Sequence, residues 1–170
     1  MNIIHSLRDH HRWLTSGTAA LSLLAAYLME YVHAVPPCIL CQLQRMTLFV
    51  LIGLCLLQNL SIRLKWCRIL SDVFIVLTIL FGLMVSIRHS WIQYYPDSVA
   101  GIQCPSNLWL TMNVYPFPYS LIKIMLGGSQ CAKVDMTLFG ITLPVWVSIL
   151  MLGLLVTQIY SIRHRHKPMP

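Results

Sequence analysis

Long apolar runs alternate with short polar breaks along this chain. Four runs, at about residues 13–32, 43–60, 69–87 and 142–160, consist of Leu, Ile, Val and Met with few polar interruptions. Each is long enough to cross a hydrocarbon layer ~30 Å thick, which takes about 20 residues as a helix. Water is absent inside a bilayer, so backbone N–H and C=O groups must be satisfied locally, and such runs form α-helices. The pattern predicts an all-α membrane protein. Its expected architecture is a four-helix transmembrane bundle forming a single domain over residues 1–170. A short loop at about 33–42 separates the first two spans, and a long loop at about 88–141 separates the last two.

The breaks carry their own signals. Pro36 and Pro37 stand between the first two runs, where they stop a helix arriving from the N-terminal side. The long loop holds Trp91, Tyr94, Tyr95, Trp109, Tyr115, Phe117 and Tyr119, aromatics of the kind that favour a membrane interface. Within it, "PYSLIKIML" spaces Leu121, Ile122, Met125 and Leu126 as one helical face, between a proline start and the stop signal Gly127–Gly128. A short helix lying on the outer surface is expected there.

Composition agrees with the pattern. Only 10% of the 170 residues are charged and 57% are hydrophobic, with a mean hydropathy of +0.70; soluble domains carry about 25% charged residues. The first run follows basic residues, as a secretory signal would, but no small-x-small cleavage site follows it, and Glu30, Tyr31 and His33 crowd its exit. It reads as a retained span. The formal charge of +7 raises the question of nucleic acid. Yet Arg8, Arg12, Arg63, Lys65, Arg68, Arg163, Arg165 and Lys167 all fall on one side of a four-span layout. That is the asymmetry that fixes a cytoplasmic face. The basic residues are topology signals, both termini are expected in the cytoplasm, and a nucleic-acid partner is not.

Six cysteines divide by the same layout. Cys55 and Cys67 fall on spans and read as ordinary small hydrophobes. Cys38 and Cys41 lie in the first outer loop, Cys104 and Cys131 in the second. Four cysteines on an oxidising face admit three pairings, and the simplest resting one joins Cys38 to Cys41 and Cys104 to Cys131. Zinc held by all four is a rival. Structural zinc favours a C-x₂₋₄-C spacing on both arms, whereas Cys104 and Cys131 are 27 positions apart. No metal site is assigned from the sequence.

The first pair carries the stronger chemical signal. A two-residue spacer makes a small, labile disulfide ring. Cys41 falls near the start of a helix, where free N–H groups and the positive dipole end favour a thiolate. Arg45 stands one turn further on the same face, and an arginine just inside the membrane boundary implies a task or a partner. His89 is expected at the same depth, at the outer end of the third span. No glycine-rich phosphate loop, paired-carboxylate site or Ser-His-Asp set is present.

Together, "CILCQLQR" at the head of the second span, "RHSWIQYYP" at the end of the third, Cys104 and Cys131 in the long loop, and "LFGITLPVW" leading into the fourth resemble the disulfide bond formation protein B (DsbB) family. The likeness covers nearly the whole chain. Some family members carry an acidic residue just before the arginine, where this chain has Gln44.

The resemblance implies a thiol:quinone oxidoreductase of the bacterial inner membrane, with its cysteine loops periplasmic. A reduced DsbA-like, thioredoxin-fold partner would attack the Cys104–Cys131 disulfide at Cys104, and electrons would pass to Cys38 and Cys41. Cys41, as a thiolate, would meet ubiquinone or menaquinone, with Arg45 and His89 holding or polarising it. DsbA is a strong oxidant at about −120 mV, so reoxidising it needs a sink beyond ordinary thiol pools. Two alternatives remain: a non-enzymatic membrane scaffold with structural disulfides, and a thiolate metal carrier.

Overall fold

A computed structural model of the protein describes residues 3–34, 36–60, 65–102, 107–134 and 137–165. The four apolar runs fall on four long helices: α1 (Ile3–His33), α2 (Ile39–Leu60), α3 (Lys65–Tyr94) and, near the C-terminus, α7 (Leu143–Arg165). Between α3 and α7 lie three short helices, α4 (Leu108–Val114), α5 (Tyr119–Leu126) and α6 (Ser129–Ala132). A two-stranded antiparallel hairpin follows them, β1 (Thr137–Leu138) and β2 (Ile141–Thr142), with Thr137 opposite Thr142. Among the described residues, three helical segments are long and apolar enough to cross a membrane: Ile39–Gln58, Trp66–Tyr94 and Leu143–Arg163. This is the make-up of an all-α membrane protein. α1 is more polar, with Thr15, Ser16, Thr18, Ser22 and Glu30 along its length. Ser16, Thr18 and Ser22 return their hydroxyls to carbonyls three or four residues back, the low-cost arrangement for such groups in an apolar helix.

The four long helices follow chain order in space. α2 packs between α1 and α3, and α3 packs between α2 and α7, while α1 and α7 barely touch. A buried core of Ala19, Leu23, Leu48, Leu51, Cys55, Ile75, Ile79, Met151 and Leu154 joins all four. Gly82 permits the closest approach of α3: a methyl group there would stand 3.0 Å from both Met151 Cε and Thr47 Cγ2. Toward the other end, Asp72 of α3 accepts from Gln58 Nε2 of α2 at 2.6 Å and from Gln158 Nε2 of α7 at 3.2 Å. A buried carboxylate is costly unless hydrogen-bonded, and here it braces three helices.

A second core holds the long loop down on the bundle. Ile39, Leu40 and Leu43 of α2 and Val85 and Ile92 of α3 meet Val99, Leu108, Ile124 and Cys131. Arg88, near the C-terminal end of α3, donates to the carbonyls of Met125 at 3.3 Å and Leu126 at 3.2 Å. It thereby satisfies the last turn of α5 with a cation, the sign that a helix C-terminus favours. Gly127 then takes φ +70°, with Ile92 Cδ1 only 2.7 Å from where a Cβ would sit. Glycine meets both demands, and the chain turns directly into α6. The short helix expected at residues 118–126 is α5, starting one residue later at Tyr119.

Replacing Asp72 with Ala removes the acceptor for both glutamine amides. Interhelical hydrogen bonds of this kind contribute about 0.6–2 kcal/mol each, so the variant should unfold in bicelles at a clearly lower mole fraction of SDS. An unchanged midpoint would show that the brace contributes nothing.

Candidate functional site

The site begins where α1 ends. Ala34, just after His33, has φ +52°, a left-handed conformation that terminates a helix. Pro36 and Pro37 follow, and α2 starts at Ile39 with Cys38 as its cap residue: the Cys38 carbonyl accepts from Gln42 N at 3.0 Å. The Cys38 sulfur accepts from the Cys41 backbone N–H at 3.4 Å. This is the contact that a serine makes at a helix N-cap, made here by a thiol. The two-residue spacer therefore places one cysteine at the cap and the other in the first turn.

The pair stands as two thiols, with Cys38 Sγ donating to Cys41 Sγ at 3.2 Å. His89 Nε2 of α3 lies 3.6 Å from Cys38 Sγ. His89 is 2% exposed, and its Nδ1 has no hydrogen-bond partner. Cys131, buried on α6, brings its thiol within hydrogen-bonding reach of Cys38. Hydrogen bonding with Cys131, then with Cys41, and then burial raise the Cys38 pKa far above the ordinary thiol range. Cys38 is thus the proton-holding member of the pair. Cys104 lies outside the described residues. Cys55 is buried in the bundle core and Cys67 is exposed, both away from this cluster.

Arg45 points toward α1. Its guanidinium pairs with Glu30 and donates to the Ala26 carbonyl at 3.0 Å, and it lies 4.8 Å from the centre of the Tyr27 ring. The arginine and carboxylate side chains are 15% and 28% exposed. Gln44 turns the other way and donates to Ser86 Oγ of α3 at 3.2 Å.

These groups line one cavity of about 510 Å³, in the cleft where α1 and α7 fail to close the bundle. Cys38, Cys41, Gln44, Arg45 and His89 form its polar side, with Glu30, Gln93 and Lys133 also on the wall. Met29, Leu48, Leu143, Val147 and Leu150 supply apolar surface. A cleft of this size, mostly apolar with a few convergent polar groups, suits a flat organic ligand.

The family model for "Disulfide bond formation protein DsbB" matches residues 9–161. The chain belongs to the DsbB family. Among its relatives, the disulfide bond formation protein B of Verminephrobacter eiseniae is 31% identical over 158 residues, 86% of each chain. The protein of the same name from Chromobacterium violaceum is 29% identical over 155 residues, covering 91% of this chain and 92% of the relative. DsbB family membership makes this a membrane oxidoreductase that acts in disulfide-bond formation.

Two residues of the DsbB-type site were not singled out by sequence reasoning. Glu30 was legible in principle, because an acid inside an apolar run implies a partner. Gln42 gave no signal at all. Its Nε2 donates to the Pro37 carbonyl at 3.2 Å, while its Oε1 accepts from Leu108 N at 3.1 Å. It ties the cysteine turn to the start of α4, in the loop that also carries Cys104.

Because the thiolate is the nucleophile, iodoacetamide at neutral pH should modify Cys41 of the reduced protein ahead of Cys38. The same order should hold at moderately alkaline pH, because Cys38 keeps its proton there. Peptide mapping that finds Cys38 modified first at neutral pH would contradict this proton assignment.

Proposed function

We propose that this protein reoxidises a DsbA-like thioredoxin-fold partner in the periplasm and passes the electrons through two cysteine pairs to ubiquinone or menaquinone. The observation that carries this reading is the convergence of Cys38, Cys41, Arg45 and His89 on one largely apolar cavity between α1 and α7. In this arrangement all four long helices cross the bacterial inner membrane as one domain. Both termini are cytoplasmic, and the cysteine loops are periplasmic.

The cavity residues fit a quinone. The wall is apolar enough for a prenylated ring, and His89 and Gln93, which both line it, each carry a buried polar atom, Nδ1 and Oε1, outside the hydrogen bonds of the structure. Arg45, fixed by Glu30, Ala26 and Tyr27, would offer a cation to a carbonyl oxygen, and His89 lines the same cavity. A bound quinone supplies a two-electron sink more oxidising than a thiol pool.

The chain's own residues do the rest. Cys104 takes the mixed disulfide with the partner, which frees Cys131 as a thiol. Cys131 lies within hydrogen-bonding reach of Cys38, so as a thiolate it can attack Cys38 of the Cys38–Cys41 disulfide and form a Cys38–Cys131 bond. That attack breaks the Cys38–Cys41 bond and releases Cys41 as the thiolate that faces the cavity, supported by the N–H groups of the first turn of α2. The arginine and the cysteine are held on one rigid helix, a turn apart.

Purified protein in nanodiscs, given a reduced DsbA-type partner and a soluble ubiquinone analogue, tests this directly. Cys41→Ser should abolish quinone reduction, and Cys104→Ala should abolish oxidation of the partner. Arg45→Ala should raise the quinone KM at least about tenfold, the loss expected for one charge-assisted hydrogen bond. Partner oxidation that proceeds equally well with no acceptor present would sink the reading.

A further inference from the structure

We propose that the reduced Cys38–Cys41 pair and His89 form a site for a single thiophilic d¹⁰ ion, Zn²⁺ or Cd²⁺, which exists only while the pair is a dithiol. This goes beyond the electron relay, and the donor set differs from the four-cysteine arrangement that the chain spacing disfavours.

The geometry is close to a coordination sphere. Tetrahedral zinc, with Zn–S near 2.3 Å and Zn–N near 2.0 Å, separates its donor atoms by about 3.5–3.8 Å. Cys38 Sγ and His89 Nε2 are 3.6 Å apart and the two sulfurs 3.2 Å apart. All three donor atoms lie within 4.8 Å of one another. Admitting the ion takes a separation of the sulfurs by about half an ångström and a closing of the Cys41–His89 gap, now up to 4.8 Å, by about 1 Å. Cys38, Cys41 and His89 also border the cavity, which provides a path in and room for water at the fourth position.

The chemistry agrees with the geometry. Thiolate and imidazole are the ligands that soft and borderline d¹⁰ ions select. Two thiolates and a neutral histidine cancel the double positive charge, so the complex places no net charge in a dry site, where an unpaired one would be costly. Histidine bound through Nε2 carries its remaining proton on Nδ1, the atom that has no partner in this structure. Binding takes both sulfurs as thiolates, so the proton that lies between them is released. A disulfide has no thiolate to offer, so ion binding and oxidation of the pair exclude each other. A bound ion would hold the pair reduced and stop turnover.

The test uses the full chain in nanodiscs, carrying Cys104→Ala and Cys131→Ala so that the second pair supplies no ligand. The protein is reduced with a phosphine and titrated with Cd²⁺, and the thiolate-to-metal charge-transfer absorbance is followed. One Cd²⁺ per chain is expected, with no band in the disulfide form. The band should vanish in Cys38→Ser and in Cys41→Ser. His89→Ala should raise the Kd at least about tenfold, the lower end of what a supporting residue costs a metal site when lost. Circular dichroism checks that each variant keeps its helices. A band that persists after oxidation, an unchanged Kd in His89→Ala, or no band in the reduced protein would each overturn the proposal. Neither quinone nor partner is present, so this result and that of the quinone assay are independent.

Discussion

A helix that begins inside an apolar bundle must satisfy its first amide groups without help from water. At the head of α2 that requirement falls on Cys38, whose carbonyl takes the first helical hydrogen bond and whose sulfur takes the Cys41 amide. Everything else at the site depends on this cap. It places the two sulfurs in contact, aims the free N–H groups of the first turn at them, and sets Arg45 one turn below. The left-handed Ala34 and the two prolines before it make the cap possible by ending α1 and forcing a fresh start.

The bundle around the cap is left open on one side. α1 leans on α2 and α7 leans on α3, and the cavity lies where the two touch only slightly. An open cleft in an apolar bundle is stable only if its polar groups have partners, and most of them do. Arg45 is held by Glu30, Ala26 and Tyr27, and Gln44 by Ser86. Among the described residues on this wall, His89 Nδ1 and Gln93 Oε1 are buried atoms without such a partner, and unpaired polar atoms beside a cavity are where a ligand has something to gain.

The long loop matters because it delivers Cys131. Arg88 caps α5, Gly127 turns the chain where no side chain would fit, and Gln42 fastens the start of α4 to the cysteine turn. A single apolar cluster seals these pieces onto α2 and α3. The buried thiol that results lies beside the capping thiol. An ordinary mobile loop would have no reason to hold a cysteine there.

Much of this was legible from residue order, because the signals are local. Helix positions follow from runs of apolar residues, the break before Cys38 follows from Pro36 and Pro37, and the cysteine at a helix start follows from their placement. The short helix α5 follows from its spacing and its glycine stop. What residue order does not contain is which faces meet. Glu30 and Arg45 are 15 positions apart on separate helices, Gln42 and Leu108 are 66 apart, and Asp72 and Gln158 are 86 apart. Such pairs are set by how the helices rotate and lean as their apolar faces pack, a many-body outcome with no single-residue signature. The sequence by itself determined the helices and the reactive turn. Only the tertiary structure decided that α1 and α7 touch only slightly, that Arg45 is held from α1, and that Cys131 comes to rest against Cys38.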